Sequence, residues 1–350
     1  MQIGTARAAA ADWVRREGSR RPGYHGAFFS GSTVGLPDDA ELDAGSDVDV
    51  VVLSTGTPPP LKVGKFEHRG VLLEVSDFPW SRFASASEVL ASYHLAGSFR
   101  TDTVIDDPTG DLRALQVEVA RSFADEGWVR RRCMEAQRRV EEGMRSIDFT
   151  EPWHDQVTAW LFPGGVTTHV LLVAALRNPT VRLRYLRARE VLERYGHPGI
   201  HDQLLRLLGS EELTAARAGH HLDNLERAFD TAASVARTPF FFSSDITPPA
   251  RRIAIDAGRE LALRGFQRET VFWTVATFAR CQAVLAADAP RSVQRVHRSA
   301  FDELLADLGI TSSADLRERA EAVLDFAPTV WATAESVIAA NPGIRHRETV

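Results

Sequence analysis

The sequence predicts an α+β protein, with a small mixed-sheet unit over residues 1–125 followed by an all-helical region over 126–350. Three observations carry this. Short β-branched or alternating runs at 27–29, 47–53, 62–68 and 71–78 all fall in the first part. Beyond residue 125 every long segment shows helical spacing, and none alternates over the length of a strand. At 350 residues the chain also exceeds what one hydrophobic core ordinarily serves, which favours two units.

Taken in order, Thr5 caps a first helix that runs to about Arg16 and stops near Gly18. A short apolar strand at 27–29 runs straight into Gly31-Ser32. The loop 36–45 carries Asp38, Asp39, Glu41 and Asp43 and reads as solvated, and residues 47–53 form the next strand. Residues 54–60, with Gly56 and three prolines, form a loop. The runs 62–68 and 71–78 then make a hairpin joined at Arg69-Gly70. A helix at 85–95, a strand at 103–105 and a helix at 111–123 complete the first unit. The remainder divides into helices at 128–147, 153–176, 180–195, 199–208, 211–236, 249–264, 267–287, 292–308 and 313–339. Glycine and proline punctuate them, with breaks expected at Gly164-Gly165 and at Pro248-Pro249 among others.

Composition narrows the function classes. Net charge is −6, and Arg greatly outnumbers Lys. A chain that grips a long nucleic-acid backbone is expected to carry a basic excess, so nucleic acid is disfavoured against a small substrate. Cys133 and Cys281 are far apart and lack partners at metal-ligand spacing, which points away from a disulfide framework or a zinc site and towards the reducing cytoplasm. Arg7, Asp12, Arg15 and Arg16 interrupt any signal-like run at the N-terminus, and the apolar run 170–176 is too short to span a bilayer, so no membrane segment is expected.

The chemistry concentrates in Ser30-Gly31-Ser32 and Ser46-Asp47-Val48-Asp49. Strand side chains alternate faces, so Asp47 and Asp49 share one side. Two ionised carboxylates that close repel unless a cation joins them, and Mg²⁺ takes one or two carboxylates together with phosphate oxygens. Gly31 lets the backbone approach a phosphate, and the Ser32 hydroxyl adds a donor. A helix starting at Thr33 or Val34 would reinforce anion binding through its N-terminus.

These residues resemble the signature of the DNA polymerase β-like nucleotidyltransferase superfamily: an apolar strand, Gly-Ser, a spacer, then Asp-x-Asp in an apolar strand. The 14-residue spacer between Ser32 and Asp47 is longer than in many antibiotic-modifying members. The resemblance implies a third carboxylate on a neighbouring strand. Glu74, a lone acid in the apolar run Leu72-Leu73-Glu74-Val75, is preferred for it over Glu67 and Asp77. It further implies an arrangement like that of the streptomycin/spectinomycin and kanamycin nucleotidyltransferases, in which a catalytic domain, here 1–125, meets a helical substrate-binding domain, here 126–350.

The function so implied is Mg²⁺-dependent transfer of a nucleoside monophosphate, with ATP or another NTP as co-substrate, to a hydroxyl of a small molecule such as an aminoglycoside-like natural product. Asp47, Asp49 and Glu74 would be the catalytic and metal-binding set, with Gly31 and Ser32 on the nucleotide. The alternatives are a catalytically silent nucleotide-binding or regulatory protein, or nucleotidylation of a protein or tRNA partner. Elsewhere, His197, His201, His220 and His221 are metal-site material by type but read as ordinary loop and helix residues, and Trp153-His154-Asp155 reads as a helix start. Arg182, Arg184, Arg187 and Arg189 read as a solvated face because Glu190 and Glu193 share their helix. Residues 240–242, three phenylalanines, are either core or an interface, and Phe272, Trp273 and Phe278 read as core.

Overall fold

The computed structural model describes residues 1–43, 45–57 and 61–346; the three prolines of the loop expected at 54–60 lie outside the described residues, as does the end of the helical region at 347–350. The chain is mixed α/β. Helix α1 (Ile3–Arg16) leads to β1 (Tyr24–Ser30), β2 (Val48–Ser54), β3 (Gly64–His68) and β4 (Val71–Pro79), and after α2 (Ala86–Ala91) to β5 (Val104–Asp106) and α3 (Asp111–Ser122). The helices that follow are α4 (Glu126–Arg145), α5 (Trp153–Ala174), α6 (Arg184–Arg194), α7 (Pro198–Leu208), α8 (Ala215–Val235), α9 (Ala257–Leu263), α10 (Val271–Asp288), α11 (Arg291–Asp307) and α12 (Ser313–Ala340).

The five strands form one sheet in the order β3-β4-β2-β1-β5. All neighbours are antiparallel except β2 and β4, which run parallel with β3 between them in sequence. That hairpin turns at Arg69 and Gly70, with φ of 51° and 75°. Two left-handed residues in succession are what a two-residue connection needs to match strand twist. Arg69 accepts this conformation while its guanidinium reaches Asp12 of α1 at 3.0 Å.

Alternation along the strands sorts the apolar residues between two faces. Val48, Val50, Val52, Leu73 and Val75 pack under Ala6, Ala10 and Trp13 of α1. Phe28, Val51 and Leu53 face the opposite way, against Phe83, Leu90 and Val119. A third cluster, running from Val129 to Ile344, is made wholly by the helical region. The buried apolar residues therefore divide between Val119 and Val129, where the sequence changes from strand-like to helical periodicity.

Several elements differ from the sequence reading. Helix α1 starts before Thr5, with Gln2 as its N-cap residue and no side-chain cap, so Thr5 lies inside the helix. Helix α2 ends at Ala91 rather than 95, and residues 249–264 divide into a π-type turn at Arg252–Asp256 and α9. Helix α5 continues through Pro163, Gly164 and Gly165 without the expected break. Packing of α5 on α4, α10 and α12 outweighs weak local propensity. Continuity also makes α5 long and apolar enough to cross a membrane by length and composition, in contrast to the short run read from sequence. Yet 72% of its most apolar window is buried within the protein, as in a core helix.

Helix α12 opens on a reciprocal cap, in which Ser312 accepts from the Asp315 N–H and Asp315 accepts from the Ser312 N–H. Ser312→Ala removes one half of this exposed pairing. It is expected to cost about 1 kcal/mol in denaturant unfolding, and an unchanged midpoint would show the cap to be energetically silent.

Candidate functional site

Strand β1 delivers Ser30 in extended conformation, and the chain then turns at Gly31 with φ of 70° into a single 3₁₀ turn, Gly31–Thr33. No helix begins at Thr33 or Val34: Val34 is already extended, so no helix N-terminus reinforces this position and any anion here meets a turn. Gly31 is required for a steric reason. Ser30 pairs with Asp49 across β1 and β2, and a Cβ on Gly31 would lie 1.8 Å from Asp49 Oδ2. Gly31→Ala therefore combines left-handed strain with collision against a carboxylate that belongs to the site. It is expected to lower both stability, by at least about 1 kcal/mol, and ligand binding; an Ala variant with wild-type affinity would show that the turn relaxes freely.

The parallel pairing of β2 and β4 sets Asp49 directly opposite Glu74, and the antiparallel hairpin sets Glu74 opposite Lys65. One transverse row of the sheet thus reads Lys65, Glu74, Asp49, Ser30. Asp47, two residues before Asp49, joins from the same side. Ligand oxygens of Asp47, Asp49 and Glu74 all lie within 4.8 Å of one another, the sole such His/Cys/Asp/Glu trio among the described residues. The rivals to Glu74 stand elsewhere. Asp77, at odd spacing, pairs with Arg21 at 2.5 Å, and Glu67 is exposed on edge strand β3.

Two lysines sit on the trio. Lys62 and Lys65 both donate to Glu74, and the buried Lys65 ammonium also meets Asp47 at 3.0 Å and Asp245 at 3.2 Å. Asp245 in turn pairs with Arg280 of α10 at 2.9 Å, so the ion-pair network reaches from the sheet into the helical region. Asp49 makes no ion pair among the described residues. Burial and then the charges of Asp47 and Glu74 push its carboxyl well above the usual range. Burial opposes ionisation of Glu74 too, but Lys65 and Lys62 outweigh it and hold that carboxyl at about 2. Asp47 is raised, chiefly by burial, against the pull of Lys65. The trio thus has one carboxylate amply neutralised and one left wanting a cation.

The donor set fits a hard divalent ion. Three carboxylates converge, the surroundings supply oxygen rather than sulfur or imidazole, and the Lys65 ammonium already stands among them as a monovalent cation. A cavity of about 150 Å³ lies over the trio, lined also by the exposed Ser32, by Arg182 and by Trp273. A larger cavity of about 660 Å³ shares Gly31, Pro179 and Val181 with it and extends between the sheet and helices α4 and α5.

Sequence reasoning placed Asp47, Asp49, Glu74, Gly31 and Ser32, and the fold brings all five to one end of the sheet. It misjudged the arginines of 182–189. Arg187 pairs with Glu190, and Arg189 with Glu193 and the buried Glu269, but Arg184 is buried and Arg182 donates to the Gly45 carbonyl at 3.1 Å beside the trio. Trp273, read as core, borders the cavity, while Phe272 and Phe278 are core. Phe242 is buried and Phe241 is 69% exposed, so residues 240–242 are divided between interior and surface. His220 and His221 pair with Glu303 and Asp307 and His197 with Ser336, while the buried His201 lies 3.7 Å from Glu269. Lys62 and Lys65 were missed, although composition held the signal. Among 41 basic residues these are the only two lysines, and both contact Glu74.

The fold and site together define a mixed sheet that carries a three-carboxylate cluster beside a glycine–serine turn. No protein-family model matches the chain, and no curated protein matches it.

Proposed function

We propose that this protein is a Mg²⁺-dependent nucleotidyltransferase of the DNA polymerase β-like kind, moving a nucleoside monophosphate from an NTP, with ATP the first candidate, to a hydroxyl of a small molecule. The observation that carries the reading is the convergence of Asp47, Asp49 and Glu74 beside the Gly31–Ser32 turn. Bound Mg²⁺ would neutralise phosphate charge and favour in-line displacement. Asp47 and Asp49 would hold it. Ser32 and the turn backbone would hold the outer phosphates, and Glu74 would orient the acceptor hydroxyl or complete the metal shell. In the transfer the acceptor oxygen bonds to the α-phosphorus, the bond from that phosphorus to the pyrophosphate oxygen breaks, and the hydroxyl proton passes to a carboxylate or water. Positioning and electrostatics supply the rest.

One observation favours a second reading. Lys62 and Lys65 already neutralise part of the trio, an arrangement that suits a nucleotide-binding protein without turnover. Pyrophosphate release with Mg²⁺, each of the four NTPs and a panel of hydroxylated acceptors separates the two. Product formation supports transfer, NTP binding without release in any combination supports the silent reading, and absence of both overturns the proposal.

A further inference from the structure

The larger cavity has a chemistry distinct from that of the trio. Three arginines, Arg82, Arg139 and Arg184, line it with a single carboxylate, Glu135. Among the described residues none of the three arginines forms an ion pair, whereas Arg187, Arg189, Arg217, Arg251 and Arg259 elsewhere in the helical region all do. Arg184 is the most telling. Its side chain is 2% exposed, its Nε donates to the Val181 carbonyl at 2.9 Å, and its guanidinium lies 3.8 Å over the Phe272 ring. One terminal nitrogen, Nη1, is buried without a hydrogen-bond partner among the described residues. Room for it is made by Gly165 in α5, where a Cβ would come within 2.3 Å of that same nitrogen. Burial lowers Arg184 to about 10, so it remains a cation at neutral pH. A buried cation with an unpaired donor is costly unless an anion completes it.

A second buried group lies in the same wall. His169, 5% exposed, uses Nε2 to donate to the Thr180 carbonyl at 3.0 Å, which leaves Nδ1 as a lone-pair acceptor with no partner among the described residues. Burial and the neighbouring Arg184 charge hold His169 at about 3, so Nδ1 stays unprotonated. The wall of this cavity thus carries a buried guanidinium with no carboxylate partner and a buried neutral imidazole, each with one side-chain nitrogen unpaired among the described residues. An oxyanion answers the first and a hydroxyl the second.

We propose that this cavity is the acceptor subsite, and that the acceptor is a hydroxylated acid, carrying a carboxylate or phosphate for Arg184 and Arg139 and a hydroxyl for His169, rather than a polycationic aminoglycoside. The inference rests on the nucleotidyltransferase reading for the word acceptor, and on the cavity alone for the ligand chemistry. The 150 Å³ space at the trio falls below the roughly 300–1,000 Å³ of sites for drug-sized ligands, so a second substrate has to enter through the adjoining volume. Polycations meet three unpaired arginines there and are repelled.

The test is calorimetric binding to the full chain, with glucose, glucosamine, glucuronate, glucose 6-phosphate and kanamycin as probes. Each is measured with and without Mg²⁺ and a non-hydrolysable ATP analogue, whose own binding is recorded separately. We expect at least one acidic sugar to bind tenfold or more tighter than glucose, glucosamine and kanamycin, to bind alongside the analogue, and to lose tenfold in Arg184→Gln. Arg139→Gln, at an exposed position that is safe for folding, is expected to weaken the acid in the same direction and leave analogue affinity unchanged. Preference for kanamycin or glucosamine, no preference by charge, or no probe binding overturns the inference. Displacement of the acids by the analogue also overturns it, since the arginines then hold the nucleotide's own phosphates. Failure of the analogue to bind, with acids still bound, overturns the nucleotidyltransferase reading and leaves the anion site standing.

Discussion

Asp49→Asn is expected to reduce nucleotidyl transfer by about a thousandfold while leaving the protein folded, the order of loss seen when one preorganised electrostatic group is removed from a reacting centre. Its side chain makes no ion pair among the described residues, and burial together with Asp47 and Glu74 disfavours its charge in the empty site. The neutral isostere removes that repulsion. The sign is therefore unusual for an active-site change: in EDTA the variant should be as stable as the wild type or more so, and the stabilisation by Mg²⁺ should shrink. Activity by pyrophosphate release and unfolding with and without Mg²⁺ check the two halves. Wild-type turnover would remove Asp49 from the chemistry, and an undiminished Mg²⁺ effect would remove it from the metal site.

Lys65→Met is expected to produce the largest loss of stability, about 3 kcal/mol in EDTA. The ammonium is buried, and its removal leaves Asp47, Glu74 and Asp245 without their shared counter-charge. Partial protonation of the carboxylates and the Lys62 contact to Glu74 limit the damage. Millimolar Mg²⁺ should restore more stability to this variant than it adds to the wild type, because the ion no longer competes with the ammonium for Asp47 and Glu74. Equal Mg²⁺ responses in the two proteins would show that lysine and metal do not share the trio. The comparison also bears on the silent reading, in which the lysines replace the metal altogether.

Much of the fold was legible because periodicity is local. The alternation of Val48, Asp49, Val50 and Val51 marks a strand whatever surrounds it, and each of the nine helices expected after residue 125 has a helical counterpart. What failed locally was punctuation. Gly164-Gly165 reads as a break, but packing on neighbouring helices carries α5 through it. The Pro248-Pro249 start gives a 3₁₀ and then a π-type turn rather than a regular helix.

The sequence by itself determined the carboxylates and the turn, because Asp47 and Asp49 lie within one strand's reach and parity decides which side they share. Glu74 could be preferred but not positioned, since its place opposite Asp49 depends on a parallel pairing between strands that are not adjacent in the chain. Only the tertiary structure decided that Lys65 lies in the same row, that Asp245 and Arg280 extend the network from the helical region, and that Arg184 and His169 line one cavity. Those relations join residues from 9 to 180 positions apart, and no periodic signal connects them. They arise where two separately packed cores meet, and there the charge of a residue says little about its role until its neighbours are known.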